Sequence, residues 1–185
     1  MMPKFNQFAE VLLCAILCAI TRSAHAERIQ VGLSFGAFYP SDSLIQDRFG
    51  KQIISFGFSP MSLRKPNASY LEPNVNVISA QKGSEDLLVI PATLRFVKTF
   101  GDPQGRTVPY FAVGAGGYYS YYDIYSPTAS ARYTDTHWGS TANAELGMIL
   151  DQTTSLVVRY NWFSKTQGLR FDGLSLGISI RVGGI

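Results

Sequence analysis

Cysteine is scarce in this chain: Cys14 and Cys18 are the only two, and both fall within the first 26 residues. From Glu27 onward there is none, which excludes a disulfide framework, a thiol nucleophile and a thiolate metal site there. Histidine is as rare, with His25 and His137 alone, so a clustered imidazole site is excluded as well. No cofactor is expected. Charge is low and nearly balanced, at 16 basic and 13 acidic residues and a net of +3. No basic cluster appears, so nucleic acid is not an expected partner. After residue 26 no apolar run is long enough for a membrane-spanning helix, which takes about 20 residues.

The N-terminal segment reads as a targeting signal. Lys4 opens it, Val11 to Ile20 (VLLCAILCAI) forms an apolar stretch of ten residues, and Ala24-His25-Ala26 offers small residues where a signal peptidase cuts. Arg22 and His25 end the run too early for an anchoring helix. Lipidation at Cys14 or Cys18 is disfavoured, because Leu13 and Leu17 precede them. The expected division is a cleaved signal peptide, 1–26, and one exported domain, 27–185.

What is abundant is alternation with a period of two, in segments near ten residues separated by turn residues. The last is the cleanest: Leu174, Leu176, Ile178, Ile180 and Val182 fall on one face, with Gly173, Ser175, Gly177, Ser179 and Arg181 on the other. Residues 155–162 and 141–150 behave alike, joined by the polar turn Asp151-Gln152-Thr153-Thr154. Residues 29–39, 52–58, 70–79, 86–99 and 108–122 bring the total to eight. Pro91 lacks a ladder N–H, so a bulge or strand end is expected there. Residues 40–50 are not strand-like, and Ser41 or Ser43 is placed to cap a single helical turn.

The composition of the polar face decides which side meets lipid. A water-facing strand carries many Lys and Glu. Here that face is Gly, Ser, Thr and Asn, with only Glu72, Arg95, Glu145, Arg159 and Arg181 charged. Small residues suit a narrow barrel interior, and the mixed signs predict a luminal network of ion pairs among those five. Tyr39, Tyr70, Tyr110, Tyr119, Tyr121, Tyr122, Trp138, Tyr160 and Trp162 gather toward segment ends, as in the aromatic girdles of a membrane barrel. The expected fold is all-β: a closed antiparallel up-and-down transmembrane β-barrel of about eight strands. Both termini then share the periplasmic end, and the connections 40–51, 123–138 and 163–172 face outward.

Three stretches resemble the small outer-membrane barrel proteins of the outer-membrane protein W and A type. Val89-Ile90-Pro91-Ala92-Thr93-Leu94 is similar to a Pro-x-Thr strand of W-like barrels. Val108-Pro109-Tyr110-Phe111-Ala112-Val113-Gly114-Ala115-Gly116 is similar to a strand common to both groups. The last strand resembles the assembly signal read by the barrel-insertion machinery, carried by Ser175, Gly177, Ile180 and Val182. One departure is the Gly183-Gly184-Ile185 ending, where such chains usually finish on an aromatic residue. The resemblance implies three partners: membrane lipid, lipopolysaccharide and the assembly machinery. It also implies an alternative role, a narrow path for small hydrophobic solutes.

Chemistry is sparse. His137, expected in a loop over 123–140, has Asp135 and Ser140 nearby, and some barrels of this size modify lipid. A triad is a matter of geometry that local sequence does not supply, so the expectation is a non-enzymatic barrel with a structural or interaction role. The run Gly114–Gly117 sits in a strand pattern with no helix after it, unlike a phosphate-binding loop.

Overall fold

The structure, a computed structural model, describes residues 30–61, 66–101, 107–126, 130–151, 153–166 and 169–184. The expected signal peptide lies outside these. Eight strands form one closed barrel in sequence order: β1 (Gln30–Pro40), β2 (Ile53–Met61), β3 (Ser69–Lys82), β4 (Glu85–Thr99), β5 (Val108–Ser126), β6 (Ala131–Ile149), β7 (Thr154–Phe163) and β8 (Gly173–Gly184). Every pairing is antiparallel, and β1 closes on β8 from Gln30 opposite Gly184 to Pro40 opposite Gly173. Closure leaves no sheet edge in hydrocarbon, where each unpaired backbone group costs several kcal/mol.

Alternation sorts the side chains as expected. Phe35, Ile54, Phe56, Leu71, Leu94, Phe96, Val113, Leu146, Leu156, Val158 and the even-numbered apolar residues of β8 point outward and are exposed. An exposed apolar surface this continuous is a lipid-facing belt, not the exterior of a water-soluble domain. No helix among the described residues is long and apolar enough to cross a membrane.

Strand length is uneven. A tilted strand needs about 9–11 residues to cross a bilayer. β1, β2 and β7 fit that span, whereas β5 and β6 have 19 residues each. The expected 123–138 loop is therefore strand for most of its length, because its outward positions Asp123, Arg132, Thr134 and Thr136 continue the alternation in polar form. The outer face changes from apolar to polar above Tyr119 and Trp138, whose rings meet edge-on at 5.1 Å. Above that aromatic pair the hairpin stands clear of the belt. There Arg132 donates to both carboxylate oxygens of Asp123, at 2.6 and 2.7 Å, and Thr134 donates to it at 2.9 Å.

Four details differ from expectation. Pro91 makes no bulge: β4 runs straight through it, paired with Tyr118. The β3–β4 ladder instead has a gap between Val75–Ala92 and Ile78–Val89, with the same register on both sides, and the missing N–H falls in that gap. The 40–50 segment holds a seven-residue helix, α1 (Ser43–Phe49), capped by Asp42 and not by either serine. Asp42 Oδ1 accepts the N–H of Leu44 at 2.9 Å. Tyr70, Tyr110 and Tyr122 face inward rather than joining a girdle, because each shares the parity of the luminal residues on its strand; Tyr110 and Tyr122 are fully enclosed. Finally, the interior is not polar throughout.

Candidate functional site

The lumen is filled at three levels, and each follows from inward-facing positions. The middle level is charged. Register places Glu72 opposite Arg95 and Glu145 opposite Arg159. Arg95 donates from Nη2 to Glu72 and from Nη1 across the lumen to Glu145 Oε2 at 2.6 Å. Arg159 donates from Nε to the same oxygen at 2.6 Å, and Tyr110 donates its hydroxyl to Glu145 Oε1 at 2.8 Å. Two guanidinium groups and two carboxylates balance to zero, as burial demands. Gly114 makes the reach possible: a Cβ there would stand 2.7 Å from Arg95 Cγ. Around the charges Asn143 donates to Thr93, Asn76 to Asn74 and Asn161 to Ser175.

Arg181, the fifth expected member, sits nearer the end that bears the termini. It is half-buried, and its backbone N–H donates to Thr153 O at 2.7 Å. Below the charges Val97, Tyr110 and Ala112 form a small apolar layer, with Ile149 packed against it.

The level nearest the loops is apolar. Tyr118, Tyr122, Phe163 and Phe171 pack together, with ring centroids 5.0–6.5 Å apart. Ile45 of α1 is wholly buried in the same cluster, with Leu169 beside it. Asp42 fastens this lid: its Oδ2 accepts the N–H of Arg170, at 3.2 Å, while its Oδ1 caps the helix. Arg48 of α1 reaches Glu85 at 3.8 Å and lies over the Tyr125 ring. Sequence reading missed this layer. Its signal lies in Leu87, Val89 and Ile78, apolar residues at inward parity.

Between the charged and apolar levels is a cavity of about 30 Å³, lined by Ser34, Asn76, Arg159, Asn161 and Ser175 among others. That is room for a water molecule or two.

The expected assembly-signal residues all lie on β8. Ser175 and Gly177 face inward, and Ile180 and Val182 face out to the belt. His137 is on β6, not in a loop. It faces inward opposite Ser120, 6.1 Å from the Tyr118 ring. Ser140 has the opposite parity and points out, while Asp135 Oδ1 accepts the Thr136 N–H at 2.7 Å. Ser120 Oγ is buried with no hydrogen-bond partner. Neither serine thus forms the nucleophile–base contact that acyl transfer needs. No group of three metal-ligating side chains occurs among the described residues.

No family model matches the chain, and no curated protein matches it in sequence. Solved structures do. Neisserial surface protein A superposes with a TM-score of 0.52 at 16% identity, over 84% of this chain and 98% of that one. The outer membrane enzyme PagL gives 0.52 at 14%, over 83% and 99%. Ail, the attachment invasion locus protein of Yersinia pestis, gives 0.50 at 11%, over 84% and 100%. At these identities the likeness is one of fold. The fold is that of small bacterial outer-membrane barrels, and the apolar belt gives this chain the surface such a membrane requires.

Proposed function

We propose that this chain is an integral outer-membrane barrel with a closed lumen, and that its role is structural or interactive through the parts that rise beyond the lipid. The supporting observation is the three-level filling of the interior: an apolar layer, a neutral ion-pair belt and an aromatic lid fastened by Asp42. The end bearing Gln30 and Gly184 faces the periplasm, and the β5–β6 hairpin and α1 face outside. Lipid and lipopolysaccharide surround the belt, and the insertion machinery reads Ser175, Gly177, Ile180 and Val182.

Planar-bilayer recording tests the closed lumen. The expected result is silent insertion, unchanged by Arg159→Ala, because the lid seals the loop end by itself. A steady conductance, or uptake of a small hydrophobic solute by vesicles carrying the barrel, favours the alternative of a solute path. The Arg95–Glu145 ion pairs across the lumen and the aromatic lid speak against it, since a solute has to displace these packed side chains. An enzymatic role is tested by His137→Ala: the lipid A mass profile of cells making the variant is expected to match that of cells making the unaltered protein.

A further inference from the structure

The wall of the barrel is paired least where β2 meets β3. Among the described residues that ladder runs only from Ser55 opposite Ile78 to Phe58 opposite Val75, whereas β1 and β8 pair along their lengths. The same register carried two residues further sets Pro60 opposite Pro73. Backbone phase shows which neighbour each proline addresses. Ser41 N–H donates to Asp172 O, so odd-numbered residues of β1 bond to β8 and even-numbered ones to β2. Odd-numbered residues of β2 therefore face β1, and even-numbered ones, Pro60 among them, face β3. Thr99 N–H donates to Ala68 O, so even-numbered residues of β3 bond to β4, and odd-numbered ones, Pro73 among them, face β2.

Pro60 and Pro73 thus occupy the next hydrogen-bonding pair of the β2–β3 ladder, and neither has an N–H to give. Each still pairs on its other side, Pro60 with Val31 and Pro73 with Leu94, where no N–H is asked of it. The loss falls on this one seam. It falls within the lipid belt, since Leu71 and Leu94 beside Pro73 are exposed apolar residues. Backbone carbonyls at that depth are tolerated only against protein or water. The inner side of the seam is polar. Asn74, next to Pro73 and facing inward, accepts from the Asn76 side chain at 2.6 Å. Asn76 in turn lines the small cavity beside Arg159, together with Ser34 and Ser55.

We propose that the β2–β3 seam is a side entrance for water: the wall parts at Pro60 and Pro73, and water reaches the cavity beside Arg159 there while the aromatic lid stays shut. Water is the occupant the chemistry selects. An acyl chain has no hydrogen to donate to the Pro60 and Pro73 carbonyls, and the way inward passes Asn74, Asn76 and Ser55. The cavity has room for a water molecule or two. Little holds the seam shut. By the same phase, only the pairs Phe56–Val77 and Phe58–Val75 exchange N–H···O bonds across it. Met61 lies opposite Gln30, so the entrance opens in the half of the barrel that bears the chain ends, away from the lid.

Amide hydrogen exchange of the folded barrel in phosphatidylcholine nanodiscs, read by NMR, tests the entrance. The N–H groups of Phe56, Phe58, Val75 and Val77 bond across the seam. They are expected to exchange at least tenfold faster than those of Phe35, Ala37, Leu176 and Ile178 across the β1–β8 closure. Pro60→Val with Pro73→Val restores both donors. It is expected to slow Phe58, Val75 and the Asn76 side-chain amide at least tenfold, the last reporting water at the cavity. Asp42→Ala, which loosens the lid, is expected to leave all of these rates unchanged. Heat-modifiable mobility verifies each fold. Should the double variant fail to fold, Pro73→Val restores one donor, and the comparison of the two seams in the unaltered barrel stands by itself. The proposal is overturned if the two seams are equally protected, or if restoring the donors leaves the rates as they were. It is also overturned if Asp42→Ala speeds them, because water then enters by the mouth. A path that ends at ion pairs and a shut lid carries no current. Equal protection in a barrel that stays silent therefore removes the entrance and leaves the closed lumen standing.

Discussion

Gly36 lies directly opposite Gly177 where the first and last strands close the barrel, and a Cβ on Gly36 would stand 2.1 Å from the carbonyl oxygen of Leu176. The clash is with backbone, which no rotamer change relieves. Gly36→Ala is expected to cost about 1–3 kcal/mol by overpacking, and Gly36→Val more. The fraction of protein that runs as the compact, heat-modifiable band measures it. A valine variant with an undiminished compact band shows that the seam is looser than this contact implies.

Glu145 carries the charged level, since both guanidinium groups converge on its Oε2. Glu145→Ala takes the carboxylate from Arg159 and leaves Arg95 with Glu72 alone, one buried cation in excess, and is expected to destabilise the barrel by about 3–5 kcal/mol. Glu145→Leu with Arg159→Met removes the nearest opposite charges together and is expected to cost less than the single alanine change. Urea unfolding in micelles gives the comparison.

Asp42→Ala removes a helix cap and the tie to Arg170 together. The expected loss is about 0.5–2 kcal/mol for the cap, confined to the lid. Hydrogen exchange is expected to speed up at residues 43–49 and 169–172 with β1 and β8 unchanged. Acceleration spread over the whole barrel shows instead that lid and barrel unfold as one unit.

Asp151 in the β6–β7 turn accepts the Thr153 hydroxyl at 2.8 Å and the N–H groups of Thr153 and Thr154 at 2.7 Å. The Thr153 hydroxyl above all, then those two N–H groups, hold its carboxyl below the usual 3.8. A lowered folded value means that the turn is stabilised above the unfolded pKa and loses that support as pH falls through the folded one. Amide exchange at Thr153 and Thr154, corrected for its intrinsic pH dependence, is expected to show less protection below about pH 4. Asp151→Asn is expected to abolish that change.

Much of the barrel is legible in the amino-acid sequence. A period of two needs only the strand's pleat, so Leu174 to Val182 declare their face locally. Small and paired-charge residues on the other face declare a narrow enclosed interior. Parity alone also sufficed for Tyr110 and Tyr122, which share a face with Gly114 and Ser120; reading them by their position near strand ends obscured it.

Sequence by itself determined the strand number and the face on which each strand's apolar residues lie, because those depend on alternation within single segments. Only the tertiary structure decided that Arg95 crosses to Glu145 rather than stopping at Glu72, that loop residues as far apart as Ile45 and Phe171 meet as a lid, and that β6 runs with β5 past the end of its pairing with β7. Each of those depends on register and shear between strands. They are global properties of a closed sheet, and no ten-residue window contains them.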